Sequence, residues 1–337
     1  MGKEKTYKVT YKNGDVYRGP LVKNLPHGVG ETTFANGNVF KGEHYQGFPW
    51  KGTLTYPNGD VYKGTMKIDK PHGYGHYFIK DCEQVYKGNF KKGFFHGAGI
   101  LYDEDGKVIY DGNWKKDDKH GRGTEYYSDG GRYEGDFKRD LRHGKGTLYY
   151  PEGHNPVTHY GRWRNGAAHG KSTVTYQNGC VINGKFEEGY LNSDKKQELL
   201  MPNGCKFIGI LDKNNSPVRG VCYMENGESY DGEWKNDLPN GYGTYIYENG
   251  DKYVGNFKDG QRHGHGKYYI NSGKHAGDTF EGNWAKGERC GKLLYRWANG
   301  DYCEMTFNAD GSHYGTVIKS EGGSYFGRWN KDGNPIN

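Results

Sequence analysis

The chain is short of the residues that build an ordinary globular core. Hydrophobic residues of every kind reach only 33% of its 337, and Leu, Ile and Val are sparse. That argues against the conventional cores expected if this length made about two or three globular domains. No apolar run approaches the ~20 residues of a membrane-spanning helix. The N-terminus, MGKEKTYKVTY, has no hydrophobic signal core. Charge of one sign is also lacking: 47 basic residues meet 41 acidic ones, for a net +6, and no dense basic run occurs. Nucleic acid is therefore not an expected partner. The six cysteines, at 82, 180, 205, 222, 290 and 303, show no CxxC spacing and read as reduced thiols of a cytosolic protein. Cys180 and Cys205 both follow an Asn-Gly turn. If they hold equivalent places in successive two-strand repeats they lie roughly 9–10 Å apart, beyond disulfide reach.

Glycine and aromatic residues are abundant instead. There are 57 Gly, with 31 Tyr, 14 Phe and 7 Trp. Disordered chains are poor in aromatics, so this composition points to a folded chain that buries rings against backbone. The first residues match M-G-x-x-x-[ST] through Gly2 and Thr6, although Lys3 directly after the glycine argues against acylation.

The glycines and rings recur together. A Tyr-x-Gly-x-aromatic unit is anchored at Gly19, Gly42, Gly64, Gly88, Gly112, Gly135 and onward to Gly327, about every 24 residues, with Met305 filling one slot. Two residues after the anchor stands a ring in most units, as in Phe90, Trp114, Phe137, Trp163, Trp234, Phe257 and Trp284; Leu21, His44, Met66 and Leu211 depart from this. A second signature, His-Gly-x-Gly, follows at 27–30, 72–75, 96–99, 120–123, 143–146 and 263–266, and Asn-Gly turns such as Asn58-Gly59 and Asn249-Gly250 close the units. A period of two within each segment predicts strands, and Asn-Gly accepts the positive φ of a hairpin turn. Each unit is thus predicted to be a β-hairpin, with consecutive hairpins paired edge to edge. Glycine weakens a strand unless something lies over it. Here a Tyr or Trp from a neighbouring strand is expected to lie on the bare backbone. One hairpin would not fold without its neighbours.

Several features resemble functional sites. A Gly-rich phosphate loop opens a helix and normally occurs once; His-Gly-x-Gly recurs at hairpin spacing, so it reads as scaffold, its histidines bonding across the turn. The 14 histidines fall about one per repeat, too far apart to converge on a metal. Paired acids such as Asp117-Asp118 and Glu187-Glu188 read as solvated turn charge. No catalytic motif, metal or cofactor site is identified, and the chain is expected not to be an enzyme. The aromatic stripe reads first as packing, with a surplus able to line a groove for a partner helix; the residues assigned to partner binding are Trp114, Tyr127, Tyr133, Phe137, Tyr150 and Trp163. Lys91, Lys92, Lys115 and Lys116 are assigned to weak contact with anionic lipid.

Units such as "YEGDFKRDLRHGKGTLYYPEG" (133–153) and "YDGEWKNDLPNGYGTYIYENG" (230–250) resemble MORN repeats (membrane occupation and recognition nexus) over essentially the whole chain. The resemblance implies an all-β fold, an elongated, twisted, single-layer antiparallel sheet of about fourteen tandem hairpins. It implies a non-enzymatic scaffold or tether that binds proteins, cytoplasmic and associated with cytoskeleton or membrane, and able to dimerise through terminal repeats. A phosphoinositide-binding module and a non-catalytic enzyme subunit are the alternatives. The methyltransferase, kinase and transmembrane segments of some relatives are not expected here. Residues 7–189 are assigned to repeats one to eight, 190–205 to an irregular joint lacking His-Gly-x-Gly, and 206–337 to repeats nine to fourteen with a degenerate C-terminal cap.

Overall fold

A computed structural model describes residues 5–308, 310–331, 335 and 336, and shows strands alternating with tight turns from Tyr7–Thr10 to Ser324–Trp329. Gly2 lies outside the described residues. Among these residues the helical turns are two short 3-10 segments, Lys80–Cys82 and Gly273–His275. The chain divides into two compact units, residues 1–172 and 173–337.

In the first unit the successive strands pair antiparallel, each with the next, as in Arg132–Lys138 with Leu141–Tyr149 and that strand with Thr158–Arg164. Leu21–Val22 and Leu25–Pro26 form a separate two-stranded ribbon. The second unit follows the same rule, as in Ser229–Lys235, Leu238–Ile246 and Lys252–Lys258. The all-β antiparallel class read from the period of two is therefore correct. Residues 190–205 lie within the second unit, where Gln197–Leu200 pairs with strands on both sides. Gln197 is 2% exposed. Its Oε1 accepts the Lys185 N–H at 3.0 Å and its Nε2 donates to the Asn192 carbonyl at 2.5 Å. A side-chain amide thus completes the bonding where the glycine signature is missing.

The two glycines of His-Gly-x-Gly have different causes. The first, as Gly28, Gly97, Gly121, Gly144 and Gly264, has φ between 62° and 70°. This left-handed residue forms a bulge, and the ladders shift register opposite it. The second is extended and lies directly across from the anchor glycine, as Gly146 opposite Gly135 and Gly243 opposite Gly232. A Cβ on either member of these pairs would come closer than 3.0 Å to one tyrosine, Tyr133 in the first pair and Tyr230 in the second.

One ring covers both glycines: the second lies on the neighbouring strand, as expected, and the anchor glycine lies on the ring's own strand two residues later. Tyr17, Tyr62, Tyr86, Tyr110, Tyr133, Tyr230 and Tyr253 are all fully buried in this way. The side chain lies along its own strand because its hydroxyl has a target there. It donates to the carbonyl three residues on: Tyr62 to Thr65 at 2.7 Å, Tyr86 to Asn89 at 3.0 Å, Tyr110 to Asn113 at 3.1 Å, Tyr230 to Glu233 at 3.0 Å. A partner across the bulge adds to this, the main-chain carbonyl of His27 for Tyr17 and of His143 for Tyr133, each at 3.4 Å. The signature histidine therefore serves these rings through its main-chain carbonyl. Neighbouring hairpins do contribute the tryptophans. Trp114, Trp163 and Trp234 donate Nε1–H to the carbonyls of Gly99, Gly146 and Gly220, at 3.0, 3.1 and 3.0 Å. Each ring meets the tyrosine before it edge to face, as Tyr86–Trp114 at 5.4 Å and Tyr133–Trp163 at 5.4 Å.

Where the ring is replaced, its glycine is replaced too. His159 takes the tyrosine's place and Ser172, standing against Gly161, takes that of the second glycine. Ile182 is matched by Gln197 against Gly184, and Cys303 by Met305 in the anchor slot. The smaller first residue leaves volume that the larger second one fills.

Aspartates tie several hairpins to their neighbours. Asp251 accepts the Asn271 N–H and the Tyr268 hydroxyl, both at 2.9 Å, and Asp60 does the same with Lys80 and Tyr77 at 2.9 Å. Asp278 and Asp301 repeat the bond with Ala298 at 2.8 Å and Ser320 at 2.9 Å. At the other edge Asp140 accepts the Lys119 N–H at 2.8 Å, and Asp117, read as solvated turn charge, accepts that of Phe95 at 2.6 Å. Replacing Asp251 by Ala removes charge-assisted bonds worth about 2 kcal/mol locally. Hydrogen exchange at the Asn271 amide is expected to accelerate on the order of 30-fold, with remote amides unchanged.

Candidate functional site

The aromatic residues assigned to a partner fall into two groups, both within the first unit. Tyr133, Phe137, Trp114 and Trp163 are 0%, 3%, 5% and 5% exposed and belong to the ring column. Tyr110–Trp114, Tyr110–Phe137 and Tyr133–Phe137 meet edge to face with centroids 5.0, 5.2 and 5.1 Å apart. Tyr127 and Tyr150 are half-buried and open onto a concavity of about 460 Å³, walled also by Leu141, Arg142, Leu148 and Glu125. The turn residues Asp129 and Gly131 line one side, and Asp140 and Gly166 of the neighbouring turns also line it. Arg142 lies over the rings of Trp163 and Tyr133, at 4.6 and 5.8 Å. The Tyr127 hydroxyl donates to Glu125 at 3.1 Å, and Glu125 is paired with Lys119. Burial, then the Glu125 charge, pushes the Tyr127 hydroxyl far above its ordinary range, so it stays a donor. The concavity offers an apolar floor, one stacked cation and one fixed carboxylate.

Lys91, Lys92, Lys115 and Lys116 are all exposed at the turns of adjacent hairpins, Lys92 and Lys116 with φ of 56°. Equivalent turns stand two strand spacings apart, roughly 9–10 Å, so the four form a row on one edge.

A third surface escaped the sequence reading. Tyr45, Phe48 and Trp50 are each about half exposed, with the Tyr45 and Trp50 rings 6.4 Å apart and His27 5.7 Å from Tyr45. The signal was present: Pro49-Trp50-Lys51-Gly52 stands where His-Gly-x-Gly is expected, so a tryptophan replaces the bulge glycine.

Two buried histidines make the first unit sensitive to acid. His44 Nε2 is 2.8 Å from the Thr32 hydroxyl and Nδ1 is 3.1 Å from the Gly42 carbonyl, an arrangement suited to the neutral ring. Burial lowers its pKa. Burial, reinforced by Arg142, lowers that of His159 to about 4. A histidine lowered on folding contributes stability above its unfolded value, near 6.5, and loses it as pH falls toward the folded value. Between pH 6.5 and 4, His159 alone is expected to cost about 3 kcal/mol. Chemical denaturation across this range checks it, and the paired replacement of His159 by Tyr and Ser172 by Gly should flatten that part of the profile.

Among the described residues no three His, Cys, Asp or Glu side chains converge to hold a metal ion. Among the described residues no helix is long and apolar enough to cross a membrane.

A family model described as MORN repeat matches ten segments, residues 17–39, 51–61, 62–81, 86–108, 110–132, 133–155, 159–181, 230–252, 253–275 and 280–302. Comparison with curated proteins found no match. Among solved structures, the chain is similar to the TCP domain of Drosophila melanogaster SAS-4 in complex with a proline-rich motif of Ana2, at 13% identity over 60% of this chain and 89% of that one, with a TM-score of 0.21. The TCP10c domain of Drosophila melanogaster Sas-4 alone gives 13% identity over 60% and 98%, with a TM-score of 0.20. A catalytically inactive virginiamycin B lyase from Staphylococcus aureus with quinupristin gives 11% over 93% and 91%, with a TM-score of 0.12.

Proposed function

The chain belongs to the MORN-repeat family, and from that premise we propose that it is a non-enzymatic scaffold that holds protein partners on the surfaces left open beside its ring column. The division of labour among its residues supports this. The recurring chemistry, rings, glycines and turn aspartates, is used up in building the sheet. What stays half open beside that frame forms surfaces. The observation that carries the proposal is the concavity at Tyr127, Tyr150, Leu141 and Arg142, which fits an apolar side chain flanked by an acidic one, as an amphipathic helix presents. The exposed Tyr45, Phe48 and Trp50 make a second contact of the aromatic kind enriched at interfaces. A cytoplasmic location beside cytoskeleton or membrane agrees with six free thiols. A second copy is a further candidate partner, because Tyr325 and Phe326 of the strand Ser324–Trp329 are half exposed.

A photo-crosslinking residue at Leu141, which is 48% exposed, tests the proposal in source-cell extract. Specific protein adducts at 141, lost when Arg142 is replaced by Glu, support it. Equal labelling from 141 and from an exposed turn such as Gly130 contradicts it. The row of Lys91, Lys92, Lys115 and Lys116 supports a second reading, contact with anionic lipid. Flotation with phosphoinositide vesicles at physiological salt, lost on replacing the four by Gln, would favour it over the scaffold.

A further inference from the structure

Three of the cysteines gather around one small core of the second unit. Cys222 is buried with Ile182, Leu199, Phe207 and Leu211, and Cys180 and Cys205 pack against that cluster. The ladder between Lys206–Leu211 and Pro217–Tyr223 sets Phe207 opposite Cys222. Cys205 stands two residues before Phe207, so it shares the inner face and is the diagonal neighbour of Cys222. The two thiols face one another, and the burial of Cys222, then the nearby Cys205, pushes the Cys222 thiol up to about 11. Diagonal neighbours lie about 7–8 Å apart, at or just past the outer edge of disulfide reach, so closure needs a small backbone approach. The approach falls on Cys205, which is not within its strand. It is held by its turn, through its N–H to Asn203 at 3.2 Å and its carbonyl to the Met201 N–H at 2.9 Å.

We propose that Cys205 and Cys222 form a peroxide-oxidisable pair that closes into a disulfide across adjacent strands. Half-buried Cys205 reacts first. Its sulfur attacks hydrogen peroxide, breaks the O–O bond, becomes a sulfenic acid and releases one water. The Cys222 sulfur then attacks the sulfenic sulfur, the S–O bond breaks, and a second water leaves with the thiol proton. Two sulfurs have lost one electron each, and the peroxide has taken both. Cys180, after the equivalent turn of the preceding hairpin, stands roughly 10 Å from Cys205 and is not the resolving thiol.

The test uses the full reduced chain, treated with a small excess of hydrogen peroxide and mapped without reduction. The expected product is a Cys205–Cys222 linked peptide pair, intramolecular, lighter by two hydrogens and reversed by dithiol. In C222S a sulfenic-acid reagent should label Cys205 while no link forms. C205S should leave Cys222 resistant to both peroxide and alkylation. A link from Cys205 to Cys180 or to a second chain overturns the proposal. So does a Cys205 that remains fully alkylatable after oxidation of the exposed Cys82.

Discussion

Gly146→Ser is expected to lower the stability of the folded chain by about 3 kcal/mol or more, as measured by chemical denaturation. The glycine has an ordinary extended φ, so its backbone would tolerate any residue. The cost comes from volume. A Cβ there would sit closer than 3.0 Å to the Tyr133 ring and hydroxyl. That ring cannot swing aside, because it is 0% exposed and packed against Phe137 and Trp163. Its hydroxyl is bonded to the carbonyls of Asp136 and His143 at 3.3 and 3.4 Å. The Gly146 carbonyl also receives Trp163 Nε1–H at 3.1 Å, so the strain reaches the next hairpin. Gly130 is the control. It has φ of 91° with nothing within 4 Å of a Cβ, so Gly130→Ala should cost about 1 kcal/mol, from backbone strain alone.

Tyr253→Ala is expected to be costlier, about 4–5 kcal/mol, and Tyr253→Phe to cost only about 1 kcal/mol. The hydroxyl supplies one bond, to the Asn256 carbonyl at 3.2 Å. The ring supplies the rest. It covers Gly255 and Gly266 and meets Phe257 at 5.1 Å and Trp284 at 5.4 Å. Its loss opens a gap beneath Trp284, which Arg262 also covers at 4.1 Å. Tryptophan emission and denaturation report the two effects together. Equal costs for Ala and Phe would place the energy in the hydroxyl and contradict the packing account.

The hairpin frame was legible in the sequence because a period of two and Asn-Gly turns are local signals. That the same ring also covers the glycine of its own strand was not. Alternation says that Tyr133, Gly135 and Phe137 share a face, but not that the tyrosine leans along its own strand, which a carbonyl three residues away decides. The aspartate ties were visible only as turn residues, since Asp251 and Asn271 are 20 residues apart and meet through the stacking of hairpins. Four of the six aromatic residues assigned to a partner proved to be core for the same reason: one face of the sheet holds both the column and the groove, and sequence period does not give depth. The exchange of Tyr and Gly for His159 and Ser172 becomes readable only once the ring is known to cover the glycine.

The central claim is that ring and glycine are one unit, and a double-mutant cycle tests it most directly. Tyr133→His and Gly146→Ser together rebuild, in a regular repeat, the pairing that His159 and Ser172 make in the next. The predicted result is that Gly146→Ser costs less than about 1 kcal/mol once Tyr133 is His, a coupling of about 2 kcal/mol or more. Costs that add to within about 0.5 kcal/mol would show the two positions to be independent, and the account would fail.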